Sequence, residues 1–83
     1  MKSFPHLETF VEAAERGTST AAAKALGLTQ AAVSQRIHQL EIALGSPVFR
    51  RGPGRVSLTD GGRTLYDCAR RVQDLIHATS AAR

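Results

Sequence analysis

The chain has 83 residues, with 11 Lys and Arg against 7 Asp and Glu, for a formal net charge of +4. That length allows one small domain with a thin core, because a chain of this size buries only about 60% of the surface its unfolded form exposes. Thin cores are commonly reinforced by disulfides, a metal or a partner subunit. Cys68 is the only cysteine, so no intrachain disulfide can form, and His6, His38 and His77 stand far apart with no H-x-x-x-H or C-x-x-C spacing. No metal or cofactor is therefore expected, and a partner subunit is.

The charge is uneven along the chain. Residues 1–41 carry as many acidic as basic groups, so the whole excess lies in residues 42–83, where Arg50, Arg51 and Arg55 fall close together. Clustered arginines and a pI of about 10.2 point to a polyanionic partner. No apolar run follows Lys2 and nothing approaches membrane-spanning length, so neither a secretory signal nor a membrane partner is expected. A lone cysteine suits a reducing cytoplasm. The four aromatics, Phe4, Phe10, Phe49 and Tyr66, are too scattered to stack single-stranded bases. No Walker loop, paired carboxylates or activated nucleophile is visible, so an enzyme is not expected.

In chain order, Ser3 and Pro5 predict a helix start, and Leu7, Phe10, Val11 and Ala14 recur on one helical face that ends at Gly17. The Thr18-Ser19-Thr20 cluster offers N-caps for a second, short helix that stops at Gly27. Thr29 then caps a third helix, Gln30 to Leu44, closed by Gly45. Val48-Phe49-Arg50 and Val56 to Leu58 flank a Gly/Pro loop and predict a β-hairpin. Gly61 and Gly62 are unusual near a helix start and suggest a close backbone approach. Thr59 and Asp60 open a fourth helix running to about Ala81, roughly 33 Å long at 1.5 Å per residue. The expected fold class is mainly α: a winged helix-turn-helix over residues 1–58, then a long helix over residues 59–83.

Residues 20–40 are the most informative. A helix-turn-helix needs a small residue where its helices cross, a glycine-like turn and apolar residues closing a shared core. Ala23, Gly27, and Leu26, Leu28, Val33 and Ile37 meet these needs, although an ordinary helical hairpin would also use a glycine turn. On the third helix, Val33, Ile37, Leu40 and Leu44 lie within about 60° of one another and define the buried stripe. Opposite lie Ala31, Gln35 and His38; Gln30 and Ser34 occupy one flank and Arg36 the other. Ile42 breaks the pattern as an apolar residue on the outer face. A polar, nearly uncharged face suits base edges better than phosphates.

The stretch A-A-x-x-L-x-L-T-Q-A-A-V-S-Q-R-I-x-x-L-E-x-x-L-G-x-P-V-F-R-R, followed by V-x-L-T-x-x-G, resembles the N-terminal domain of LysR-type transcriptional regulators. The resemblance runs from about Phe4 to Ile76. It implies a bacterial, cytoplasmic, sequence-specific DNA-binding domain, with the recognition helix (residues 30–44) in the major groove and the wing (residues 50–56) on the backbone or minor groove. It implies a homodimer on a pseudo-palindromic promoter site of double-stranded DNA, with tetramers only in a longer protein. A small-molecule effector would act through an effector-binding domain not present in this chain, which is then a DNA-binding part of something longer.

Carried over by position, the base-contact candidates are Gln30, Ala31, Ser34 and Gln35, with His38 beside them. The backbone and wing candidates are Thr18, Thr20, Thr29, Arg36, Arg50, Arg51 and Arg55. Three positions depart from the family pattern: Ser19 replaces a usual aromatic, Ala31 a frequent proline and Gln35 a common arginine. Because glutamine pairs with adenine and arginine with guanine, Gln35 predicts an A·T pair where many relatives read G·C. On the fourth helix, Leu65, Cys68, Ala69, Val72, Leu75 and Ile76 form an apolar stripe about 120° wide. It reads as a dimer seam, the alternative being intramolecular core. The competing reading of the whole chain is a helical protein-interaction module with an incidental basic loop.

Overall fold

Threonine hydroxyls start three of the helices, and glycines stop three. The structure, a computed structural model, describes residues 4–50, 52 and 55–81. Helix α1 spans Pro5–Arg16, α2 Ser19–Leu26 and α3 Gln30–Leu44. A hairpin of β1 (Phe49–Arg50) and β2 (Ser57–Leu58) follows, and α4 (Asp60–Ala81) completes the chain. The Thr18 and Thr29 hydroxyls each accept from the amide three residues on, Ala21 and Ala32, at 3.0 Å. Gly17, Gly27 and Gly45 end α1, α2 and α3 in the left-handed region. Helix α1 differs: its cap position falls at Phe4, with no side-chain hydrogen bond. The expected cap, Ser3, lies outside the described residues.

Packing makes this the winged helix-turn-helix that the sequence predicts. Helix α1 contacts α2, α3 and α4, and is therefore buried over a wider arc than one stripe. Thr9, Phe10, Val11 and Ala13 are fully buried there, whereas Leu7 and Ala14, expected in the core, are only half-buried. Thr9 is satisfied inside by donating to the Pro5 carbonyl at 2.8 Å and accepting from Arg36 Nη1 at 3.4 Å. Phe10 packs against Phe49 of β1 with ring centroids 5.3 Å apart, which joins the helices to the hairpin. Val33 and Ile37 are buried as expected, but Leu44 is 49% exposed. Leu44 instead lines an apolar depression with Val48, Leu65 and Cys68.

The fourth helix corrects part of the dimer-seam expectation. Ala69 is 1% exposed and belongs to the intramolecular core, with Leu65 packed beside it. Val72 is half-buried, whereas Cys68, Leu75 and Ile76 are exposed. The stripe thus serves the core in its first half and is open beyond it. Across the outside, the Tyr66 hydroxyl donates to Glu15 Oε2 at 2.7 Å, and Arg70 Nη1 donates to the same oxygen at 3.3 Å. The hydrogen bond to Glu15 raises the Tyr66 pKa above its ordinary value; burial and the Glu15 charge add to this, and Arg70 opposes it.

Gly62 explains the glycine pair. A Cβ there would collide with the Val48 carbonyl oxygen, so α4 can seat against Val48, the residue leading into β1, only without a side chain. At Gly61 the nearest atom to such a Cβ is the Ser46 hydroxyl oxygen at 3.1 Å, which can rotate away.

Gly62→Ala should destabilise the fold by about 1–3 kcal/mol in urea or thermal unfolding despite alanine's better helix propensity. Gly61→Ala should cost little, and equal stability of the two variants would contradict the close approach. The single tyrosine and absence of tryptophan make Tyr66 directly readable in an ultraviolet absorbance titration. It should ionise above the ordinary tyrosine range in the wild type and closer to it in Glu15→Gln. Because the folded pKa is raised, the contribution of this bond to stability is present at neutral pH and is lost as alkaline pH passes through that value.

Candidate nucleic-acid interface

The turn 27–29 sets α3 on the surface beside α2, and the hairpin flanks α3 on the other side. Gly17 helps fix this arrangement. Its carbonyl accepts from the Val56 amide at 2.9 Å, and the Arg55 guanidinium packs against it, in ordinary contact range of where a Cβ would be. The return strand of the wing is thereby docked on the α1–α2 junction. Arg50 pairs with Ser57 across the hairpin and donates from Nε to the Leu58 carbonyl at 3.4 Å.

Between α3, the start of α2 and the wing runs an open groove of about 370 Å³. Ser34, Ile37, His38 and Glu41 line it from α3, Ser19 from α2, and Arg50 and Arg55 from the wing. Ser19 is half-buried there, and its small side chain leaves space where the family resemblance expects an aromatic ring. Gln30, Ala31 and Gln35 are exposed on α3, and Gln30 Nε2 donates to Thr20 Oγ1 at 3.0 Å. Thr29, exposed at the N-terminus of α3, leaves the first backbone N–H groups and the positive end of the helix dipole facing outward. Thr18 is half-buried and its oxygen is occupied as a cap.

Both charges of α3 are half-buried and hydrogen-bonded within the fold, Glu41 at the edge of the groove. Arg36 is half-buried and directed to Thr9 of α1, on the flank opposite Ser34. This sets it on the α1 side of the helix, and it is not among the residues of α3 that line the groove. Glu41 is half-buried, and its carboxylate accepts from the Val48 amide at 2.8 Å. The residues of α3 that remain exposed carry no formal charge. Arg51 lies outside the described residues. Among the described residues, no group of three or more His, Cys, Asp or Glu side chains is placed to hold a metal ion.

Sequence reasoning passed over Glu41 and the second role of Gly17. Glu41 did carry a signal: it is the one acidic residue in α3, seven positions before Val48 and within the quoted motif. Gly17 gave none beyond helix termination, because its contact with the wing spans some forty residues of chain.

A model of bacterial regulatory helix-turn-helix proteins of the lysR family matches residues 4–63, from the start of α1 through the wing and into α4. The chain belongs to the LysR family. Among curated LysR relatives, the transcriptional regulator PtxR of Pseudomonas aeruginosa is 42% identical over 67 residues, covering 81% of this chain and 22% of PtxR. The SDS degradation transcriptional activation protein of a Pseudomonas species is 43% identical over 74 residues, covering 89% of this chain and 24% of that protein. The chain therefore spans about a quarter of the length of these relatives. Among solved structures, a CbnR_DBD–DNA complex superposes with a TM-score of 0.83 at 32% identity, covering 96% of this chain and 98% of that one. A complex of BenM_DBD with catB site 1 DNA gives 0.88 at 29% identity, covering 95% and 88%.

Proposed function

We propose that this LysR-family chain is a sequence-specific double-stranded DNA-binding module of a bacterial transcription regulator. The observation that carries this reading is the pairing of an exposed, uncharged α3 face with a groove bordered by Arg50 and Arg55. An uncharged polar helix surface can exchange hydrogen bonds with base edges, whereas guanidinium groups beside it neutralise phosphates. Both solved neighbours described above are DNA complexes of their own proteins.

In this reading α3 enters the major groove, with Gln30, Ala31, Ser34 and Gln35 toward the bases and His38 at the edge of that set. Thr18, Thr20 and Thr29 approach the backbone, as the outward helix N-terminus favours. The wing, residues 50–56, lies on the backbone or minor groove. Residues 1–58 form the reading unit, and residues 59–83 the helix that pairs with a second copy on a pseudo-palindromic site. The half of α4 beyond Ala69 supplies the seam, through the exposed Leu75 and Ile76 with Val72 at their edge. Two recognition helices must then sit about one DNA turn, roughly 34 Å, apart. Tetramer assembly and any small-molecule effector belong to regions outside these residues. No described helix is long and apolar enough to cross a membrane, and the proposed place of action is the bacterial cytoplasm.

Selection of bound duplexes from random-sequence DNA tests the reading. A recurring site with an A·T pair that becomes G·C in Gln35→Arg is expected. Binding without any preferred sequence would contradict the proposed function, and an unchanged preference at every position would remove Gln35 from the reading set. For the seam, Leu75→Glu combined with Ile76→Glu should sediment as a monomer and lose affinity for the paired site. A double variant that remains dimeric would place the seam elsewhere.

A further inference from the structure

The contact between Gln30 and Thr20 joins two residues that the sequence assigns to different tasks. Gln30 opens the recognition helix and is exposed; Thr20 lies in the first turn of α2 and is exposed as well. The Gln30 amide nitrogen donates to the Thr20 hydroxyl oxygen at 3.0 Å, across the turn of the helix-turn-helix. A glutamine side chain on a surface ordinarily samples many rotamers, and holding it in one geometry removes an ordering cost that would otherwise fall on binding.

The chemistry of the amide then matters. Its nitrogen carries two N–H groups, and Thr20 takes one. What remains free is one N–H and the carbonyl oxygen. Adenine presents an acceptor at N7 and a donor at N6 in the major groove, and that remaining pair is its complement. The Thr20 hydroxyl, while accepting from Gln30, keeps its own proton and can still donate it to a phosphate oxygen.

We infer that Thr20 is a positioning residue for sequence reading: its hydroxyl fixes the Gln30 amide so that Gln30 selects adenine, and links that choice to the seating of α2 on the DNA backbone. This rests on the proposed DNA-binding function and adds a determinant of its specificity. Thr20 acts on sequence preference through Gln30, and its base-specific effect is confined to the base that Gln30 faces.

The test uses the 83-residue chain and duplexes selected by the wild type from random-sequence DNA, with all four base pairs placed in turn at each site position. The base facing Gln30 is the one whose preference disappears in Gln30→Ala. Thr20→Val should lower the preference for adenine at that base about 2–10-fold relative to the other positions. Thr20→Ser should restore it, and Thr20→Val should have no base-specific effect in the Gln30→Ala background. Thermal unfolding of each variant reports folding separately. A uniform loss of affinity across all four base pairs, or no change at the Gln30 base, would overturn the inference and leave Thr20 as a backbone contact or a bystander. If the wild type selects no site at all, the proposed function fails first, and this inference falls with it.

Discussion

The Val48 peptide is held from both sides, and the position of the wing depends on it. Its N–H is fixed by the Glu41 carboxylate at 2.8 Å, and its carbonyl accepts from Thr59 N–H at 3.2 Å and lies against the bare backbone of Gly62. Its side chain is 1% exposed. The Thr59 hydroxyl completes the clamp, donating to the Pro47 carbonyl at 2.7 Å while accepting from the Gly62 amide at 2.9 Å. One buried residue therefore ties together the end of α3, the first strand of the wing and the start of α4. A hairpin with two-residue strands is marginal on its own and has little means of holding an angle. Clamped at Val48 and docked through Val56 on Gly17, it is carried at a fixed place beside the recognition helix.

The same clamp shapes the electrostatics. Glu41 is committed to Val48, and Arg36, the other charged residue of α3, is committed to Thr9, which leaves the exposed face of the helix neutral. Positive charge enters from the wing instead. In the proposed function, grip and reading are thus assigned to separate elements whose relative geometry the fold fixes, and the overall +4 understates how localised that charge is.

Local signals in the sequence were enough for the helices. The Thr18 and Thr29 caps and the glycine stops are one-residue chemistry, so α2 and α3 occur where expected. The close approach at Gly62 was legible as an oddity because a second glycine at a helix start has a steric reason. What could not be read came from contacts remote in sequence. Ala69 enters the core because α1 lies against α4, which no periodicity reveals, and Thr9 is buried because α1 is covered on several sides. Leu44 obeys the α3 stripe yet stays exposed, bordering an open apolar depression beside Leu65 and Cys68 of α4. The Gln30–Thr20 bond was invisible for a related reason: both residues read as surface positions, and only the crossing of α2 and α3 sets them at hydrogen-bond distance.

The central claim is that an uncharged helix face and an adjoining basic wing engage one duplex together. Nuclear magnetic resonance mapping of the chain during titration with its selected duplex tests this most directly, because side-chain amides and arginine Nε–H groups report individually. Shifts should concentrate at the Gln30 and Gln35 amides and at Arg50 and Arg55, while Arg36 and the Gln39 amide, which is paired with His6 at 2.7 Å, stay nearly unmoved. Shifts confined to the outer faces of α1 or α4, with Gln30 and Gln35 unchanged, would contradict it.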